Sequence, residues 1–162
     1  MKESKLWIYV LQASLLVISI ALLILISLFI VEVLRFSIVL FPAIELMRWP
    51  MLALLLLSDF LFISIVFNGI RILFDFSKDQ VYSTVTIIIL KKAYLKALII
   101  TGIFMAFLPF FYIAAELDDA PGLVLVGIFL VGLAFALALL LKVFKKLVQQ
   151  ALTLKEENDL VV

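Results

Sequence analysis

The chain has no cysteine and no histidine among its 162 residues. Without cysteine it has no disulfide, no thiolate nucleophile and no soft metal site. Without histidine it has no imidazole base, no haem-ligating imidazole and no histidine pH switch. Charge is scarce as well: 15% of residues are charged and the net charge is +1. That balance points away from direct nucleic-acid binding. Hydrophobic residues make up 67% of the chain, more than a soluble domain of this length can hide from water.

The apolar residues fall into four blocks of near-bilayer length. Residues 6–30 carry no charge and extend about 37 Å as a helix. The run is longer than the core of a cleavable signal peptide, and no small-x-small site follows before Glu32 and Arg35. It reads as a retained membrane helix. The second crossing is 51–74, opened by Pro50 at a first-turn position beside a Trp49 anchor. The third is 97–115, where Pro109 is expected to kink the helix or loosen a turn. The fourth is 123–141, after the turn residues Pro121 and Gly122.

These blocks predict an all-α membrane protein, a single four-helix transmembrane domain over residues 1–162 with a tail at 142–162. With the N-terminus inside, eleven Lys and Arg residues lie on the cytoplasmic side and only Arg35 and Arg48 outside. The expected location is the bacterial plasma membrane, multi-pass, with both termini cytoplasmic.

Three segments between and after the crossings carry further expectations. Residues 32–49 are too apolar for a solvated loop and read as an interfacial connector or a lid over a ligand cavity. Ser77-Lys78-Asp79-Gln80 fits a capping box. The β-branched run at 81–90 favours a strand by propensity, but a lone strand beside a membrane leaves its edges unpaired, so a helix is expected. The fourth helix is expected to continue as an extended cytoplasmic C-terminal helix. On it Phe144, Leu147, Val148 and Ala151 form an apolar stripe opposite Lys145, Lys146, Gln149 and Gln150. That stripe packs on the protein's own middle loop, rests on lipid or receives a partner. The charged breaker Lys155-Glu156-Glu157-Asn158-Asp159 then precedes Leu160-Val161-Val162, an end able to fold back or add to another chain's sheet.

Asp59 is the intramembrane polar site. It lies well inside the hydrocarbon layer, where a carboxylate costs about 2.5–3.5 kcal/mol on insertion scales unless it faces the protein interior or finds a partner. Its functional readings are a proton or cation site, or a counter-charge for a ligand. Its structural reading is a protonated or hydrogen-bonded Asp that locks helix packing with Ser or Thr neighbours such as Ser19 or Thr101. Arg71 is too far along the axis to pair with it and is expected to snorkel to the headgroups. Gly127 and Gly132 lack the four-residue spacing of the close-packing motif and read as local packing positions. No GxSxG elbow, HExxH motif or phosphate loop occurs, and an aspartyl dyad would need a second intramembrane Asp. Neither catalysis nor a cofactor is expected.

The ending Phe144-x-x-Leu147-x-x-x-Ala151-x-x-Leu154-Lys155-Glu156-Glu157-Asn158-Asp159-Leu160, after Ala120-Pro121 and a membrane helix, resembles the closing signature of the bacterial family named domain of unknown function 2975. Residues 70–80, with Phe76-Ser77, are similar to its other recurring region; Val161 departs from the threonine often found there. The resemblance implies a small four-helix membrane protein with no established activity. Relatives are often encoded beside a very small helix-turn-helix DNA-binding protein, which implies a regulatory pair. The expected function is therefore non-enzymatic regulation, with the stripe and residues 156–160 holding that partner. The alternative is small-molecule or ion handling (transport, immunity or resistance) through Asp59. The bilayer is the other partner, and both a monomer and a homo-oligomer remain open.

Overall fold

The computed structural model describes the backbone of residues 2–40, 42–76 and 83–160. Among the described residues there is no strand. Four long helices, α1 (Lys2–Leu40), α2 (Arg48–Phe76), α3 (Thr84–Leu117) and α4 (Gly122–Leu160), are joined by a short 3-10 segment at Pro42–Met47 and a tight turn after Leu117. Each helix is long and apolar enough to cross a membrane.

The helices outrun the crossings read from the sequence. α1 continues through Glu32 and Arg35 to Leu40, so the connector expected at 32–49 is mostly helix. The reason is one-sided burial: Ile30, Val33, Leu34 and Ser37 turn inward, leaving Glu32 and Arg35 outward as an exposed 3.7 Å pair. Such a pair adds little stability. Ile44 of the 3-10 segment packs on the same core, over one end of the helices.

The expected capping box at 77–80 lies outside the described residues. α3 instead begins after Ser83, whose extended backbone and side-chain oxygen cap the helix by accepting from Thr86 N at 3.3 Å. The β-branched stretch from Thr84 to Leu90 is helical, in one piece with the third crossing, and the helix runs unbroken through Pro109. Its C-terminus closes as a Schellman motif. Ala120 N donates to Ala115 O at 3.0 Å, and Asp119 takes the left-handed conformation at φ 47°. Replacing Asp119 by glycine is expected to stabilise the protein by about 0.5–1 kcal/mol, because glycine meets no Cβ penalty there. Thermal unfolding in detergent checks it, and a lower midpoint for the variant would refute the strained turn.

α3 is the centre of the molecule. It packs against α4, α2 and α1, whereas α1 and α4 do not pack on one another among the described residues. The four-helix arrangement is therefore open along one side. Three clusters run along α3: Phe107, Phe110, Phe111 and Ala114 with α1 and α2 at one end; Ala93, Ala97, Ala134 and Ala138 in the middle; Ile72, Ile89, Leu90 and Val148 at the other end. The many outward leucines and phenylalanines on the remaining faces suit hydrocarbon as solvent.

Gly127 of α4 sits against side chains of α3. A Cβ there would lie 2.9 Å from Phe111 Cγ and 3.1 Å from the Leu108 side chain. Gly127→Ala is expected to cost about 1–3 kcal/mol by overpacking, measured as loss of helicity on heating. A Cβ added at Gly132 would meet nothing within 4 Å, so Gly132 is not a packing position, and Gly132→Ala is expected to leave the midpoint unchanged or raise it.

Candidate functional site

Asp59 occupies the middle of α2, eleven residues after Arg48 and twelve before Arg71. At the helical rise it stands about 17 Å from either basic residue, near the centre of a hydrocarbon layer roughly 30 Å thick. Its partner is a serine of a neighbouring helix, though neither Ser19 nor Thr101. Ser27 of α1 donates to the carboxylate, 3.1 Å from Oδ1 and 3.0 Å from Oδ2. Thr101 instead bonds back to Ala97 O at 2.9 Å within its own helix, and Ser19 lines a separate apolar groove between α1 and α2. Ser19 shares that groove with Ile63, Val66 and Phe67, beyond Asp59 along α2. Gln12 Nε2 donates to Ile70 O at 3.3 Å, a second polar tie between α1 and α2.

Asp59 opens on a cavity of about 270 Å³ to which all four helices contribute. Leu23 and Ile26 come from α1, Ser58 and Phe62 from α2, Ile100 and Phe104 from α3. α4 adds Leu130, Leu133, Ala134, Ala136, Leu137 and Leu140. Because α1 and α4 do not pack together, the cavity is a cleft open sideways, toward lipid. Its polar side chains, Ser58 and Asp59, present acceptors. Ser58 Oγ spends its proton on Leu55 O at 2.7 Å, and the single Ser27 proton is shared by two carboxylate oxygens. Among the described residues no lysine or arginine forms an ion pair with Asp59. The basic side chains cluster further along: Lys96 donates to Ser64, and Lys142 Nζ lies 5.8 Å from the Tyr94 ring centre.

The second candidate site, on α4, is reoriented by packing. Val148 is 3% exposed and belongs to the cluster with Ile72, Ile89 and Leu90, while Ala151 is half-buried. Lys145, expected on the opposite side, is also half-buried. The seam with α3 fixes this: it runs through Leu130, Ala134, Ala138 and Leu141 and so reaches Lys145 and Val148 next. Phe144 and Leu147 fall outside it, 46% and 55% exposed. Glu156, Glu157 and Asn158 are exposed. The helix does not break at the charged run but continues to Leu160. The side chains of Asp159 and Leu160, and residues 161–162 with the expected fold-back or added strand, lie outside the described residues.

Asp59 and the tail are thus separate sites on different parts of the molecule. They share α4. Leu133, Leu137 and Leu140 face the cleft, and the same three- and four-residue spacing leads on to Phe144, Leu147, Ala151 and Leu154. Sequence reasoning missed Ser27, Ser58 and the cleft. The adjacent Ser58-Asp59 pair was its one available sign; no local feature marks Ser27.

Residues 34–162 match the family described as "Protein of unknown function (DUF2975)". The chain is 29% identical over 152 residues to the uncharacterized membrane protein YoaS of Bacillus subtilis (strain 168), an overlap covering 94% of this chain and 95% of that one. No solved structure matches the chain.

Proposed function

We propose a non-enzymatic regulatory role for this chain, which belongs to the DUF2975 family of membrane proteins of unknown function. In this reading the end of α4 projects into the bacterial cytoplasm and holds a small helix-turn-helix DNA-binding protein. The carrying observation is the continuity of α4: one helix of 39 residues, about 58 Å long, lines the intramembrane cleft and ends in the exposed Glu156-Glu157-Asn158 segment. A rigid element reaching both places offers a physical link between what sits in the membrane and what is held outside it. The docking face is Phe144, Leu147 and Leu154 with the acidic end, an apolar stripe beside charge of the kind that enters a partner's groove. Val148 belongs to the fold and not to that face.

Deleting residues 156–162 is expected to lower capture of the neighbouring small regulator at least tenfold, read by pull-down from co-expressing cells. The truncated chain should stay in the membrane fraction, because the four crossings are intact. Undiminished capture would remove the tail from the contact.

A second reading, handling of a small molecule or ion at Asp59, is favoured by the cleft itself. A cavity of about 270 Å³ with convergent acceptors on otherwise apolar walls has the make-up of a small ligand site.

A further inference from the structure

We propose that the cleft between α1 and α4 binds a compact organic cation, a protonated amine carried on an apolar body, which enters sideways from the bilayer and is held by Asp59 and Ser58. The inference rests on the small-molecule reading of the cleft and specifies its ligand by chemistry.

The walls set the body of the ligand. Leu23, Ile26, Phe62, Phe104 and Leu137 offer only carbon, so whatever fills the cleft is mostly hydrocarbon. The volume, about 270 Å³, matches a small cage or ring system and is too small for a two-chain lipid.

The polar end sets the charge. With Asp59 ionised, both polar side chains of the cleft have acceptor capacity left and no proton to give. Ser58 donates to its own helix at Leu55 O, and the Asp59 oxygens together receive one hydroxyl proton, from Ser27. A carboxylate offers about four lone-pair positions, so most of its acceptor capacity is unmet by the protein. No basic side chain of the described residues neutralises it. A ligand ammonium supplies both the missing donors and the missing charge, in a setting where a charge-assisted bond is strong. An inorganic cation fits poorly. Calcium takes six to eight oxygens and magnesium a full octahedron, whereas this cleft has two side chains with oxygen to offer and leucine elsewhere.

The open side sets the route. α1 is buried against the protein chiefly at Ile30, Val33, Leu34 and Ser37, and its preceding turns stand clear of α4. Leu133 and Leu140 line the cleft and are also exposed, 52% and 68%, so the mouth is continuous with the lipid-facing surface. Amphiphilic amines concentrate in bilayers, and a lateral mouth meets them there.

The test uses the full chain in lipid nanodiscs with radiolabelled adamantylamine as probe, equilibrium dialysis at neutral pH, and protein-free nanodiscs as background. Saturable binding above background is expected. Adamantanol, equal in shape but uncharged, should bind at least tenfold more weakly. Asp59→Asn keeps an oxygen for Ser27 and is expected to retain its helicity and unfolding midpoint while losing tenfold or more in adamantylamine affinity. Ala136→Trp, at an exposed position on the cleft wall, should block both compounds by filling the space, and it locates the site even where Asp59→Asn fails to fold. Equal binding of the amine and the alcohol, both blocked by Ala136→Trp, would overturn the cation assignment while leaving a small-molecule cleft. No saturable binding of either compound, or binding untouched by Ala136→Trp, would overturn the cleft reading itself.

Discussion

Replacing Ala138 by leucine is expected to cost about 1–3 kcal/mol or to prevent folding, a large effect for the exchange of one apolar residue for another. Ala138 is 0% exposed, opposite Ala93 and Ala97, which are 2% and 1% exposed. In a bilayer the tails surrounding a helix are as apolar as leucine, so hydrophobicity does not drive α3 against α4. Close packing does, and small residues at the seam permit it. A leucine at 138 adds three carbons where the backbones already approach, and it forces the helices apart along their whole contact. The measurement is thermal unfolding of the detergent-purified protein by circular dichroism. Ala106→Leu, on an exposed face of α3, is the matched control and should leave the midpoint in place. Similar midpoints for the two variants would mean that the α3–α4 seam does not hold the fold together.

The sequence carried the number of helices and their centres, because hydropathy over a bilayer-length window reports directly on solvent. The helix assignment of the β-branched run to Leu90 also followed from physics, since a membrane-adjacent strand has nowhere to satisfy its edges. What the sequence did not carry was set by tertiary register. Glu32 and Arg35 look like a helix stop only until Val33, Leu34 and Ser37 are seen buried on α3. Ser37 Oγ bonds Phe110 O of α3 at 3.2 Å as well as Val33 O at 2.8 Å, a contact that ties the last turns of α1 in place. Ser27, Ser19 and Thr101 are equivalent partners for Asp59 in the sequence, and only the packing of α1 on α2 brings Ser27 to the carboxylate. Likewise Phe144, Leu147 and Val148 share one broad apolar arc, and only the α3 seam selects Val148 for burial. A long helix with an apolar arc wider than its contact has several acceptable rotations, and packing against a neighbour chooses one.

That rotation gives α4 its double character. Its inward seam binds it to α3, while the adjoining face passes from the cleft at Leu133 and Leu140 to the outward Phe144 and Leu147. A ligand pressing on the cleft wall and a protein gripping the stripe would act on one rod. If the proposed regulator and amine each prefer one position of that rod, they should alter one another's affinity by the same factor, upward where the positions agree and downward where they differ.

The second large effect concerns sidedness, and the absence of cysteine makes it clean to measure. The helix partners fix a relation between the ends: Phe107, Phe110 and Phe111 meet Ile30 and Leu55 at one end of the molecule, while Leu90 meets Ile72 and Val148 at the other. The acidic turn Glu116 to Asp119 therefore lies opposite the end of α4, whichever way the protein is inserted. The second end also holds Lys91, Lys92, Lys142, Lys145 and Lys146, and basic residues flanking crossings are retained inside. With a membrane-impermeant maleimide on intact cells, Glu116→Cys is expected to label fully and Glu157→Cys to label only after lysis, a contrast of tenfold or more. Labelling of Glu157→Cys alone would invert the molecule and take the docking face out of reach of any DNA-binding protein. Labelling of both from outside would contradict the antiparallel crossings themselves, since a helix pair that spans the bilayer cannot present the start of its turn and the far end of α4 to the same solution.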